Sequence, residues 1–214
     1  MIACYAFPSS CVQPNDGIIM GGKANTPPGP VDFAWKILIT GHGGVGKTTL
    51  IHRYIHNEFK EDTLMTIGCA HHSQYIERND SCVNLVLWDL GGQDRFDIIH
   101  PAYAGGAAGA YVMFDMSDMR TLDGVDKWVS LVRKCNPPAT PVFLVGSKFD
   151  LVADQGQLDT IYAIAAKKQL DLGMNAFMVT SSKLDFGVRE AIEYLIDYMF
   201  WQQACIDAGA GANA

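Results

Sequence analysis

The chain has 214 residues, 49% apolar and 18% charged, which suits one folded domain with extensions and excludes a disordered chain. Sixteen Lys and Arg against 23 Asp and Glu give a net charge of −7 at neutral pH, a balance that speaks against a nucleic-acid partner. No apolar run approaches the roughly 18 residues needed to cross a bilayer, so no transmembrane segment is expected.

Residues 1–34 read as a flexible N-terminal extension. The first residues lack a positively charged start, and Pro8 breaks their apolar stretch, so they do not form a secretory signal. Asn15-Asp16-Gly17, Gly21-Gly22 and Thr26-Pro27-Pro28-Gly29-Pro30 are turn signals with no period between them. From residue 35 to 203, short apolar runs alternate with amphipathic segments of helical length. Trp35–Thr40 is a buried strand and 47–57 a helix with Leu50, Ile51, Tyr54 and Ile55 at helical spacing. Residues 69–78 and 82–88 are strands joined by the turn Arg78-Asn79-Asp80-Ser81, hence an antiparallel hairpin. A strand at 109–114, a helix at 121–134 ended by Pro137-Pro138, and a strand at 142–145 follow. A helix near 158–170, a strand near 175–179 and a helix near 187–202 complete the series. The alternation predicts an α/β fold, a mostly parallel six-stranded sheet with one antiparallel hairpin and helices on both faces. Residues 204–214 are small and weakly patterned, and read as a flexible C-terminal tail. The six cysteines (4, 11, 69, 82, 135, 205) are scattered without a CxxC pair, so free thiols and a cytoplasmic location are expected.

Gly41-His42-Gly43-Gly44-Val45-Gly46-Lys47-Thr48 fits G-x-x-x-x-G-K-[ST] between a predicted strand and a predicted helix, the context this phosphate-binding loop requires. Glycines let backbone N–H groups turn to phosphate oxygens, and the helix N-terminus adds partial positive charge. Lys47 would reach the terminal phosphates, and the Thr48 hydroxyl would ligate Mg2+. A second constellation follows the apolar strand Val83–Trp88: Asp89-Leu90-Gly91-Gly92-Gln93. Asp89 at a strand end is placed to hold a metal through water, and Gly92 can offer its N–H to a γ-phosphate unobstructed.

From Trp35 to Trp201 the sequence resembles a Ras-superfamily small GTPase of the Rab type. Trp88-Asp89-Leu90-Gly91-Gly92-Gln93-Asp94-Arg95-Phe96 is similar to the Rab motif WDTAGQERF, with Leu and Gly replacing Thr and Ala. The Asp-Leu-Gly-Gly-Gln variant is also similar to septation-type GTPases related to Rabs. The resemblance implies a P-loop G domain that binds GTP and GDP with Mg2+ and hydrolyses GTP slowly unless an activating protein assists. It makes Gly43, Gly44, Val45, Gly46, Lys47, Thr48 and Thr49 the phosphate contacts, and Thr48, Thr66 and Asp89 the metal set. Lys47 and Gln93 would be the catalytic pair, Gln93 orienting the attacking water. Thr66 matches the switch I threonine, Phe59 the aromatic on the guanine base, and Gly92 the γ-phosphate contact. Gly43 stands where a side chain would crowd an incoming arginine finger. Ser147-Lys148-Phe149-Asp150 resembles the NKxD motif, in which Asp150 accepts from the guanine ring N–H and amino group and Lys148 lies along the base. Thr180-Ser181-Ser182-Lys183 resembles the TSAK segment, which brings Ser181, Ser182 and Lys183 to the base. Effectors, exchange factors and activating proteins would dock on residues 59–68 and 89–103, in intracellular signalling or vesicle traffic.

Ser147 replaces the usual Asn or Thr, and the expected consequence is a weaker tie to the phosphate loop. Thr63 stands where many relatives have a tyrosine, which predicts a looser lid. Cys205 is followed by nine residues, so there is no C-terminal prenylation motif, and any membrane role would come through partners or the N-terminal extension. His52 and His56 at i, i+4 and the pair His71-His72 are read as structural or solvent-facing, and Trp128 and Val132 as packing. Phe96–Tyr103 is compatible equally with core and with a partner surface. A nucleotide-bound interaction module with little or no hydrolysis is the alternative, and an ATP-dependent P-loop enzyme a weaker third reading.

Overall fold

The computed structural model describes residues 27, 29–61 and 63–211. Six strands form one sheet in the order β2-β3-β1-β4-β5-β6. β1 (Phe33–Gly41) is central, parallel to β3 (Ser81–Leu90) and to β4 (Gly109–Asp115). β5 (Val142–Ser147) and β6 (Ala176–Val179) extend the parallel side, and β2 (Cys69–Arg78) pairs antiparallel with β3 at the other edge. Asn79 and Asp80 both take positive φ, 52° and 59°, which makes the hairpin turn the two-residue form that matches strand twist. This is the expected α/β architecture.

Side chains alternate between two cores because successive strand residues face opposite ways. Ile37, Ile39, Tyr111, Met113, Phe143 and Val145 pack under α1 (Lys47–His56) and α6 (Val188–Gly211). Leu38, Val112, Phe114 and Leu144 pack on the other face with α4 (Val125–Cys135) and α5 (Gln155–Asp171). Trp128 and Val132 are buried there, as the packing reading requires. The short α2 (His100–Ala104) and α3 (Arg120–Asp123) lie before and after β4.

Two helical expectations change. The helix expected over 121–134 is divided at Gly124 into α3 and α4, where glycine costs about 1 kcal/mol relative to alanine in a helix. The last helix runs on through 204–211, which read as tail, because Ala204 and Ala208 are strong helix formers. Residues 212–214 and the extension before residue 27 lie outside the described residues, and with them Cys4 and Cys11. Cys69, Cys82, Cys135 and Cys205 are free thiols. Among the described residues, no helix is long and apolar enough to cross a membrane.

The register Ile39↔Asp89 and Gly41↔Met113 brings the C-terminal ends of β1, β3 and β4 to one edge. The chain leaves β1 toward β3 and returns across it to β4, so strand order reverses there. In open α/β sheets that reversal opens a crevice for ligands.

Candidate functional site

A cavity of about 400 Å3 opens at that edge, within the size range of small-molecule sites. The loop between β1 and α1 forms its floor. Gly46 takes φ 92° at the helix N-cap, a conformation that directs the following N–H groups inward and that a side chain would oppose. Gly43, Gly44, Gly46, Lys47, Thr48 and Thr49 all line the cavity. Val45 does not: its side chain is buried in the core, so only its backbone takes part. A Cβ on Gly43 would meet Met65 Cε at 3.6 Å and Gln93 Cγ at 3.8 Å, so this position does sit between the two expected switch segments.

Lys47 is 5% exposed, and its ammonium donates to the Gly41 and His42 carbonyls, each at 2.9 Å. Burial pushes its pKa down to about 8 against the opposing pull of the Asp89 carboxylate. A buried cation held only by neutral carbonyls is a natural partner for phosphate.

Thr48, Thr66 and Asp89 converge on one point. Both hydroxyls lie against Asp89 Oδ2, at 2.6 and 2.7 Å, and are 2.8 Å from each other. Asp89 is wholly buried, and its Oδ1 has no hydrogen-bond partner among the described residues. Adjacent oxygens around octahedral Mg2+ stand roughly 2.9 Å apart, so this all-oxygen triangle fits such an ion. Asp89 lies beneath the cavity wall and reaches it through the two threonines.

Phe59, Thr63 and Thr66, from the expected switch I, line the cavity wall, and Thr63 Oγ1 lies 3.1 Å from Thr49 Oγ1. The loose lid expected from Thr63 therefore has a tie to α1. Gly92 packs directly on the phosphate loop: Gly43 N donates to its carbonyl at 2.9 Å, and a Cβ there would fall 2.3 Å from Gly41 O. Gln93 Nε2 donates to the Met65 sulfur at 3.3 Å, while its buried Oε1 has no hydrogen-bond partner among the described residues.

Ser147, Lys148 and Asp150 form the far wall with Ser182 and Lys183. Ser147 keeps a tie to the phosphate loop: its hydroxyl lies 2.6 Å from Val45 O and 2.9 Å from Phe114 O, between β5, β4 and that loop, with one proton to share between the two carbonyls. Lys148 adopts left-handed φ 55° and donates to Gly44 O at 2.7 Å. Ser181 is buried behind the wall, outside the cavity lining, and donates to Asp150 Oδ1 at 2.5 Å, which fixes that carboxylate.

Sequence reasoning missed three contributors. Asp115, at the end of β4, pairs with Lys148 at 2.7 Å. Arg53 on α1 donates to Ser182 O at 2.7 Å and ties the loop after β6 to α1. Met65 packs between Gly43 and Gln93. Asp115 shares the strand-end position of Asp89 and was findable on that ground; the other two contacts join segments with no local signal.

A glycine-rich loop, a buried lysine, an oxygen triangle and a distant carboxylate wall around one cavity define a P-loop nucleotide-binding protein. Residues 36–200 match the Ras family. The chain is 31% identical to the Ras-related protein RABA1h of Arabidopsis thaliana over 83% of its length and 81% of the relative's. It is 31% identical to human Ras-related protein Rab-12, over 83% of this chain and 71% of that one, and 37% identical to human Rab-4B over 56% of each. The chain thus belongs to the Ras family of small GTPases, on its Rab-like side.

Proposed function

We propose that the chain is a Mg2+-dependent switch that binds GTP, hydrolyses it slowly to GDP, and acts in intracellular signalling or vesicle traffic. The observation that carries this reading is the Thr48–Thr66–Asp89 triangle. It joins the phosphate loop, switch I and β3 through three oxygens, so an ion there couples switch I to the phosphates. Held by Thr48, Thr66 and Asp89, Mg2+ would supply charge neutralisation at the phosphate oxygens.

Lys47 donates to the terminal phosphates and offsets charge as the leaving oxygen develops it. Thr48 and Asp89 hold the cation's site in register with the loop. Gln93 offers its uncommitted Oε1 to a proton of the attacking water and aligns it for in-line displacement. Asp150, oriented by Ser181, accepts two hydrogen bonds from guanine, a donor pair that adenine lacks. Residues 59–68 and 89–103 change order with the γ-phosphate and carry the partner surface. Leu64, Ile67 and Ile98 support this, because all three are more than three-quarters exposed.

The test is to denature freshly purified protein and identify the released nucleotide by anion-exchange chromatography. GDP near one equivalent is expected. Adenine nucleotide, or none after loading with GTP and Mg2+, would overturn the reading. Thr48→Asn is expected to weaken GTP binding far more than GDP binding; equal effects would contradict the metal role of its hydroxyl.

A further inference from the structure

Gly91 C=O and Gly92 N–H belong to one planar trans peptide, so they point in opposite directions. The carbonyl end is gripped. His100, 2% exposed, places Nε2 2.8 Å from Gly91 O. A carbonyl only accepts, so Nε2 carries the proton and donates. The ring is packed in turn: its face lies on Trp128 with centroids 5.0 Å apart, and Asp97 Oδ1 stands 3.4 Å from Nδ1 at its other edge. Lys127, beside Trp128 on α4, pairs with Asp97 at 2.6 Å and with Asp94 at 2.8 Å. On the other side, Gly91 N donates to Gly68 O at 2.8 Å. A Cβ on Gly91 would stand 2.6 Å from Thr66 O, so glycine here lets the switch I backbone approach this peptide.

We propose that His100 is a positioning residue for γ-phosphate recognition, a role that rests on the guanine-nucleotide reading above. Its bond to Gly91 O holds the Gly91–Gly92 peptide with Gly92 N–H turned away from the histidine, toward the cavity that Gly92 lines. Accepting a hydrogen bond at the carbonyl also polarises the N–H of the same peptide, making it a better donor to phosphate. Because the ring is wedged against Trp128 and Asp97, the orientation of this peptide is coupled to α4. GDP has no γ-phosphate for Gly92 to meet, so the histidine discriminates between the two nucleotides without touching either.

The experiment measures equilibrium affinities for GDP and for a non-hydrolysable GTP analogue in the full chain, His100→Ala and His100→Gln. Glutamine presents an N–H donor at about the reach of Nε2. His100→Ala is expected to weaken the analogue about tenfold, the value of one hydrogen bond, with GDP affinity within about twofold of the starting protein. His100→Gln is expected to recover most of the loss. If the alanine variant does not fold, His100→Leu fills the same space without a donor and is read in the same way. Unchanged analogue affinity, or equal losses for both nucleotides, overturns the positioning role while the guanine reading stands. An unmodified chain that binds neither guanine nucleotide overturns both.

Discussion

Ser147 offers the sharpest quantitative test of how the Ser147–Asp150 wall of the cavity supports the phosphate loop. Its hydroxyl faces two carbonyls, Val45 O at 2.6 Å and Phe114 O at 2.9 Å, but carries a single proton and serves one at a time. Ser147→Ala removes that donor at a position 5% exposed, leaving both acceptors without it. The expected cost is about 1–3 kcal/mol. For a domain of this size, each kcal/mol shifts the melting temperature by roughly 2–4 °C, so a fall of roughly 2–12 °C is expected. Val45 sits in the phosphate loop, and the nucleotide-bound loop has less freedom than the free loop to hydrate that carbonyl. Where the cost falls on the bound state, GDP release accelerates by roughly 5- to 150-fold at tenfold per 1.4 kcal/mol. Ser147→Asn places two N–H donors at the same carbonyls and is expected to raise stability by about 0.5–1.5 kcal/mol and slow release. Thermal melts and the dissociation of fluorescent GDP check both. Ser147→Ala with unchanged melting and release, or Ser147→Asn no better than the alanine variant, would refute the donor count.

Gln93→Leu removes the uncommitted acceptor, so single-turnover hydrolysis is expected to fall at least tenfold with GTP retained; an unchanged rate would contradict the role of Gln93. Arg78 and Asp197 form a two-pronged pair at 2.8 and 2.5 Å that fastens β2 to α6. Asp197→Ala strands an arginine that is 9% exposed, and is expected to cost about 2–3 kcal/mol, less than a fully buried pair because Asp197 keeps some solvent contact. Urea denaturation measures this, and an unchanged midpoint would refute it. Burial and the Asp89 carboxylate push the Cys69 thiol up to about 11, so at neutral pH it holds roughly 300-fold less thiolate than an ordinary cysteine of pKa about 8.5. Timed alkylation followed by peptide mass mapping is expected to modify the exposed Cys205 well before Cys69, and the reverse order would refute the shift.

What could be read from the chain were features whose chemistry lies within a few residues. The phosphate loop is local, and the strand ending in Asp89 announces its carboxylate by position. The Asn79-Asp80 turn follows from two residues that tolerate positive φ. The register that sets Asp89 beneath Thr48 follows from parallel strands with similar apolar lengths. The division at Gly124 was visible as a glycine but was overridden by the apolar period around it. Other features were out of reach because they act through space. Ser147 and Val45 are 102 residues apart, and Arg53 and Ser182 are 129. Ser147 read alone predicts a weaker tie without naming its acceptors, because residue type gives the number of protons and not the closeness of the carbonyls.

The same distinction explains why the nucleotide site is costly to build. Lys47 is buried against neutral carbonyls, and among the described residues neither the wholly buried Asp89 Oδ1 nor the buried Gln93 Oε1 has a hydrogen-bond partner. A buried, unsatisfied polar group costs about 1–3 kcal/mol, more when charged, and folded proteins keep few of them. Hydrophobic contacts nearby cannot relieve these groups, since each needs a complementary charge or hydrogen bond. Phosphate matches the ammonium, a hard cation matches the carboxylate, and water matches the amide oxygen. On the proposed reading, one ligand set would answer all three groups within a single cavity. Its binding would stabilise the fold by RT ln(1 + [L]/Kd), tying the order of residues 59–68 and 89–103 to the same free energy that holds the nucleotide.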